Sequence, residues 1–309
     1  MNETKLLVVG SLAYDQVETP RRPAAWQLGG SATFISLAAS HLVRTAVVGV
    51  VGKDFKQADL DLLVGKGVDI SGIETAEGET FKWGGRYDAQ LKERETLFTE
   101  LGVFAQFSPK IPAALADAPY LFLGNCDPDL QLAVLDSMKG LRWVAADTMN
   151  LWINIKRESL LRLLGRVNAL FLNDSEAELL TGEKNVVKAG HAIMAMGPST
   201  VIIKRGEYGC VVISGDGVFA LPALPLEQVE DPTGAGDSFA GGFMAHLAST
   251  GDLSPLGIRN AAAFGTVTAS FCVEDFGPAP LARLDRATLD GRLKLFANML
   301  SLPWGGCCR

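Results

Sequence analysis

The chain is short of the groups that build most small active sites. Histidine occurs three times (His41, His191, His246) and cysteine five times (Cys126, Cys210, Cys272, Cys307, Cys308) in 309 residues. No two cysteines form a C-x-x-C pair and their number is odd, so neither a disulfide framework nor a zinc site is expected, and the thiols read as free ones in a reducing cytoplasm. Basic residues are outnumbered, 28 to 35, and the net charge of −7 excludes a nucleic-acid or anionic-membrane surface. No apolar run approaches the roughly 20 residues that span a bilayer. The opening residues, Met1-Asn2-Glu3-Thr4-Lys5, lead straight into a strand-like run and do not read as a signal peptide. Internal repeats and low-complexity linkers are absent as well. What remains is a chain with 48% hydrophobic and 20% charged residues, long enough to bury a large core as one domain.

Along that chain strands alternate with helices. Buried-strand runs are read at Lys5–Val9, Thr45–Val51, Pro119–Leu123, Trp143–Ala146, Ala169–Leu172 and Val201–Lys204, with helical segments such as 55–67 and 129–138 between them. This alternation predicts an α/β fold whose central sheet is mostly parallel, with helices on both faces. Ligands of such sheets bind at the carboxyl ends of the strands, where Asp15, Asn125, Asp147, Asn150, Asn173 and Glu176 fall. Two stretches break the alternation. Residues 16–28 carry Pro20 and Pro23 and read as an irregular or edge segment. Thr80–Tyr87 and Arg94–Phe98 alternate apolar and polar residues and read as an antiparallel hairpin. A second hairpin is read at 210–213 and 218–221, and long apolar helices at 239–249, 258–273 and 289–300.

Chemistry concentrates in Asp231-Pro232-Thr233-Gly234-Ala235-Gly236-Asp237-Ser238, which opens an apolar helix. Small residues let backbone N–H groups approach a ligand, and the first N–H groups of a helix lack internal partners, so the loop is an anion site. A carboxylate beside it, Asp237, can accept a proton from a hydroxyl that attacks a phosphoryl group held there. A plain glycine turn with Asp237 as a helix cap is the competing reading. Gly29-Gly30-Ser31 precedes a second helix, with Ser31 as its expected cap. Asn173-x-x-Glu176 reads both as a capping box and as an acidic site. Gly49–Asp54 is not a P-loop, because its glycines are too close and Asp54 stands where Ser or Thr must be; Lys53 and Asp54 read as a cap and a surface pair. Gly236-x-Ser238 has the wrong glycine spacing for a hydrolase nucleophile, and the one histidine after it, His246, lies on the same helix.

The stretch Asp231–Phe243 resembles the second signature of the ribokinase-like carbohydrate kinases, the PfkB family, and Gly29-Gly30 and Asn173-x-x-Glu176 are similar to two further family motifs in the right order. The resemblance covers about residues 5–280. It implies a three-layer ribokinase-like fold in one domain spanning 1–309, with a small β-sheet lid formed by about 12–30 and 78–107. It also implies an ATP-dependent kinase with a sugar-like alcohol as acceptor, a nucleoside or inositol kinase being the alternative, and a silent kinase-like binding protein the alternative of another class. Asp237 would be the base, with Gly234, Ala235 and Gly236 as the anion hole. Asp15, Gly29, Gly30, Thr33 and Asn125 would meet the acceptor. Asn173, Lys204, Gly206, Thr233, Gly234 and Gly236 would meet ATP, with Arg205 a second candidate for its phosphates and the small residues of 260–269 a slot for its purine. Glu176 would order Mg2+ through water, and K+ is a further candidate ion. A cytoplasmic homodimer through the lid is implied, with Lys82, Trp83 and Tyr87 as substrate or dimer contacts. One departure stands out: Phe34 occupies the place where many members carry an Asn that binds sugar, which leaves room for a bulkier or less polar acceptor. The tail Trp304–Arg309 carries no recognisable chemistry and is expected to fray.

Overall fold

The computed structural model describes residues 3–91 and 94–301, so the cysteine pair of the tail lies outside it. The first strand, β1 (Leu6–Val9), is followed by the hairpin β2 (Ala13–Thr19) and β3 (Arg22–Gly29), then by α1 (Ser31–Ser40), β4 (Thr45–Val51), α2 (Gln57–Gly65) and β5 (Asp69–Thr75). A second hairpin, β6 (Phe81–Tyr87) and β7 (Arg94–Glu100), leads to β8 (Tyr120–Leu123), α3 (Pro128–Ser137) and β9 (Trp143–Asp147). After α4 (Asn150–Ile155) and α5 (Arg157–Leu164) come β10 (Ala169–Asn173), α6 (Asp174–Thr181), α7 (Val186–Met194) and β11 (Thr200–Lys204). The hairpin β12 (Cys210–Ser214) and β13 (Gly217–Leu221) then precedes α8 (Ala235–Thr250), α9 (Pro255–Cys272), α10 (Ala279–Arg283) and α11 (Arg286–Leu300).

Two sheets result. The large one runs β13-β12-β11-β10-β9-β8-β1-β4-β5 and is parallel from β11 to β5, with the β12–β13 hairpin antiparallel at one edge. Its strands are apolar on both faces because both are covered. Leu6 and Val8 face the layer that holds Phe34, Phe243 and Phe271, whereas Leu7 and Val9 face the layer that holds Val134, Leu163 and Ile193. The chain leaves β1 toward β4 on one side and returns at β8 on the other, so the strand order reverses between β1 and β8. A crevice opens there at the carboxyl ends.

The small sheet runs β3-β2-β6-β7. Of the two readings of residues 16–28, irregular or edge segment, the second holds: β3 is the edge strand of this sheet. The prolines fit because Pro20 lies in the turn and Pro23 lies on the edge strand, where its missing N–H costs no ladder bond. Two caps also differ from expectation. Gly30, at φ 92°, caps α1 where Ser31 was expected, since the chain must pass within contact of Ser11 O and Ala13 N. Asp54 does not cap α2. Its carboxylate accepts from the Thr80 N–H and hydroxyl, both at 2.7 Å, and so anchors the start of β6.

The helix behind the glycine loop, α8, is wedged between α1 and α9. A methyl on Gly241 would stand 2.4 Å from Ile35 O, and one on Gly242 would stand 2.5 Å from the Thr268 hydroxyl. Among the small residues of α9, Gly265 serves close packing against Phe239. Gly241→Ala should therefore lower stability by about 1–3 kcal/mol through overpacking, although alanine favours an exposed helix by about 1 kcal/mol. Chemical denaturation reads the sign, and a stabilised variant would contradict the wedge.

Candidate active site

Carboxyl ends of β9, β10 and β11 place Asp147, Asn173 and Lys204 side by side, and the N-terminus of α8 comes down opposite them. Gly234 caps α8 in the left-handed conformation, φ 77°. It must be glycine on a second count, because a methyl there would enter the Phe34 ring at 2.4 Å. Among the described residues the N–H groups of Gly234, Gly236 and Asp237 have no partner. That of Ala235 bonds Pro232 O at 3.2 Å, which withdraws Ala235 from the expected anion hole. The Lys204 ammonium covers the hole. It lies 3.0 Å from Asp147 Oδ2 and 3.2 Å from where a methyl on Gly236 would stand.

Asp237 sits in the first turn of α8, beside this ammonium. Burial, then the Asp147 charge, push its carboxyl from an ordinary 3.8 to about 7, against the pull of Lys204 and Arg94. Glu176 is raised from 4.5 to about 7, by burial and by Asp147, with Lys204 opposing. Burial alone would depress the Lys204 ammonium, but Asp147, Glu176 and Asp237 outweigh it and the net shift is upward. Both readings of the Asn173 motif coexist. Asn173 Oδ1 accepts from Glu176 N at 2.8 Å and Glu176 Oε2 accepts from Asn173 N at 2.7 Å, a closed capping box whose glutamate also faces the acidic cleft. Gly206 begins a single 3-10 turn after β11, at φ 52° with open space before it. Arg205 turns instead toward Asp174, at 3.9 Å, and over Tyr208.

Asp15 approaches from the small sheet. Its carboxylate lies where a side chain on Gly29 would be, accepts from the Gly30 N–H, and is pushed to about 7 by burial and by the Asp231 and Asp237 charges. Thr33, expected at the acceptor, is fully buried and donates its hydroxyl to Gly29 O at 2.7 Å, so it braces the turn from behind. Asn125 Oδ1 accepts from Trp152 Nε1 at 2.8 Å and its amide reaches Met149 Sδ at 3.0 Å, beyond the carboxyl ends of β8 and β9. Thr233 meets Tyr87 of the small sheet through their hydroxyls, 3.2 Å apart. Lys82 instead pairs with Glu79 at 2.9 Å. Ser238 spends its hydroxyl on Gly234 O at 2.7 Å, and His246 is stacked on Phe264, which removes the hydrolase reading.

Two residues escaped the sequence reading. Arg94 projects its guanidinium over the Trp83 ring, 4.8 Å from the centroid, and pulls down the carboxyls of Asp15, Glu176 and Asp237. Gln131 is 1% exposed, and its amide nitrogen reaches Leu123 O, Gly124 O and Asp147 O at 3.3, 2.9 and 3.1 Å, stitching β8 to β9 where they part. Arg94 looks like one more surface arginine in an alternating strand, and Gln131 like one more polar helix residue; neither sits in a recognisable pattern.

A helix N-terminus with free N–H groups, an ammonium over it and a carboxylate poised at about 7 beside it make a phosphoryl-transfer site of the alcohol-kinase class. The model of the pfkB family of carbohydrate kinases matches residues 3–283, and the chain belongs to that family. It is an ATP-dependent kinase with a hydroxyl acceptor. A cytidine kinase of Thermococcus kodakarensis is 33% identical over 254 residues, which cover 78% of this chain and 87% of that protein. A Burkholderia thailandensis nucleoside kinase solved in complex with inosine superposes with a TM-score of 0.78 at 21% identity, covering 94% of this chain and 97% of that one. An Escherichia coli putative ribokinase II in complex with ATP and Mg2+ superposes at 0.77 and 20% identity, over 94% and 99% of the two chains. Kinases of this family use ATP and Mg2+.

The raised carboxyls set the pH dependence of stability. A folded-state value of about 7 for Asp237, above the ordinary 3.8, means that the folded chain holds that proton more tightly than the unfolded chain. The resulting destabilisation is absent at low pH, grows as pH rises through that window and is complete above about 7. Asp237→Asn should thus raise Tm at pH 8 and change it little at pH 4, as scanning calorimetry of the ligand-free protein at the two pH values would read. An equal shift at both would refute the buried-charge origin.

Proposed function

We propose that this kinase transfers the γ-phosphoryl group of ATP to a ribose hydroxyl of a nucleoside. The observation that carries the reading is the opposition of Asp237, beside the free N–H groups of α8, to Asp15 on the small sheet, close enough for the Asp237 charge to raise the Asp15 carboxyl. Asp237 takes the hydroxyl proton. The N–H groups of Gly234 and Gly236 and the Lys204 ammonium stabilise charge on the transferring group. Asp15, held against Gly29 and Gly30, receives hydroxyls of the acceptor, and Asn125 is the other residue proposed to meet it. Asn173, Gly206 and Thr233 flank the ATP side. Glu176 and Asp147 would supply the carboxylate oxygens that suit Mg2+ held through its waters, and the ion would supply positive charge against the ATP phosphates. A K+ requirement stays with the family resemblance. Asp231, buried just before the loop, has both oxygens bonded within the protein, to Thr233 N and to the Gln27 amide.

A nucleoside is favoured over a hexose by the cytidine kinase relative and by two features of the cleft. Phe34, buried beneath Gly234, leaves no sugar-binding amide at that place, and Trp83, the cross-strand partner of Asp15, shares its face of β6 with Tyr87. A cytoplasmic setting is supported by three free buried thiols, Cys126, Cys210 and Cys272. The opposite face of the small sheet supports a homodimer through this lid. There Trp26, 51% exposed, lies against Phe98, with Leu101 46% exposed nearby in sequence.

Release of ADP from Mg-ATP with a panel of nucleosides, sugars and inositols tests the acceptor. A nucleoside should be the best acceptor, and Asp237→Asn should lower kcat by about 10²–10⁴. Preference for a free sugar or an inositol would replace the nucleoside reading, and near-normal turnover of the variant would remove Asp237 as the base. Sedimentation velocity tests the dimer: the wild type should run as a dimer and Trp26→Glu as a monomer.

A further inference from the structure

The small sheet does more than cover the cleft; it is bonded to the backbone that leads into the anion hole. Asp231 is fully buried. Its Oδ1 accepts from Thr233 N at 2.8 Å, which fixes the turn immediately before Gly234. Its Oδ2 accepts from the side-chain amide of Gln27, in β3, at 3.0 Å. The next residue but one is held as well, through the Tyr87 and Thr233 hydroxyls at 3.2 Å. The two ties come from different strands of the small sheet and end on residues two apart in the loop.

Sheet register connects these ties to the acceptor side. Gln27 is the cross-strand partner of Asp15, and Asp15 is the partner of Trp83 on β6, the strand that also carries Tyr87. A shift of the small sheet that moves Asp15 therefore moves Gln27 and Tyr87 with it. Further ion pairs join the same bodies, Arg21 to Glu230 at 2.9 Å and Arg22 to Asp275 at 3.3 Å. Those are solvent-exposed, so they contribute little, and the Arg22 pair does not involve the loop.

We infer that Gln27 and Tyr87 are positioning residues for phosphoryl transfer: they strap the small sheet to Asp231 and Thr233, so that the N–H groups at Gly234 and Gly236 reach their working geometry when the sheet is down over the acceptor. Neither side chain is asked to touch a reacting atom. The strap makes formation of the hole and closure over the acceptor one event, which withholds catalysis from water while the cleft is open. The inference rests on the placing of the phosphoryl group at Gly234–Asp237, and not on the acceptor being a nucleoside.

The test compares Gln27→Leu and Tyr87→Phe with Arg22→Ala, using Mg-ATP and whichever acceptor the wild type phosphorylates fastest. For each of the two strap variants kcat should fall about tenfold, the cost of one hydrogen bond made to a charged or preorganised group. The apparent KM for ATP should stay within about twofold. The fraction of ADP formed without phosphorylated acceptor should rise, because water enters the cleft while ATP is bound. Arg22→Ala should keep the wild-type values. Strap variants with kcat and partition near wild type would overturn the inference. So would an Arg22→Ala variant that loses as much as they do, since the contacts would then only steady the small sheet. Tyr87→Phe removes a single hydroxyl and decides alone if Gln27→Leu does not fold. A wild type that prefers a free sugar would refute the nucleoside reading while leaving this comparison intact on that sugar.

Discussion

One ammonium group holds the cleft together. Lys204 Nζ stands at the carboxyl end of β11, bonded to Asp147 and close above Gly236, with Glu176 and Asp237 near enough to raise its proton affinity in spite of its burial. Without it, acids from three different elements would face one another across a poorly solvated gap, which would drive their carboxyls further toward the protonated form. The sheet makes the arrangement possible. Neighbouring parallel strands lie about 4.8 Å apart, so β9, β10 and β11 deliver Asp147, Asn173 with its capping glutamate, and Lys204 in a row, and α8 needs only to be docked above them. That docking explains why α8 is built with glycines where it meets α1 and α9. A bulkier helix would stand away from the sheet and lift Gly234 and Asp237 off the ammonium.

The balance is deliberately incomplete. Asp237 and Glu176 are both held near 7 by burial first and by the Asp147 charge second, and the pull of Lys204 and Arg94 does not cancel the two. A ligand bearing phosphates brings yet more negative charge, so the cleft needs a divalent cation with it, and the carboxylates are the groups that would order one. The same raised carboxyl that weakens the ligand-free fold would keep Asp237, the proposed base, basic enough to take a proton from an alcohol. A fully paired Asp237, with its carboxyl well below the usual range, would be more stable and less able to act.

Much of this was legible in sequence, and the limits have a physical pattern. Local rules read what local sequence decides: the alternating strands, the glycine loop, the Asn173–Glu176 box and the hairpin at 81–100 all depend on residues a few positions apart. Errors arose where a residue's partner is remote. Ser31 has the composition of a cap, yet Gly30 takes that place because Ser11 O and Ala13 N crowd it. Thr33 lies within a substrate-loop pattern, yet its hydroxyl is already bonded to Gly29 O. Ala235 sits between two working glycines, yet its N–H closes the preceding turn. Arg94 and Gln131 carry no local mark at all, and their importance comes entirely from sheet register and from helix α3 crossing behind the crevice.

Phe34 shows how the remote contacts bear on specificity. Read in sequence, it replaces a hydrogen-bonding amide with a ring and so empties one corner of polar groups. In the fold that ring is buried beneath Gly234, where it forms the floor of the anion hole rather than a wall open to the acceptor. It cannot bind a hydroxyl, and it prevents the loop from sinking. The polar contacts proposed for the acceptor then lie on the opposite side, at Asp15 and the Asn125 corner. Asn125, however, is already engaged by Trp152 on its oxygen and by a sulfur, a weak acceptor, on its nitrogen. Of its two ends the amide N–H₂ is the one that an acceptor oxygen can recruit at small cost, because the bond it replaces is the weaker. Under the nucleoside reading proposed above, hydroxyl recognition would fall to the Asp15 carboxylate and the Asn125 amide, set beside Trp83 and Tyr87 of the small sheet. That is a sparse polar set for a hexose with a hydroxyl on nearly every carbon, and an adequate one for a ribose whose remaining face is a flat base.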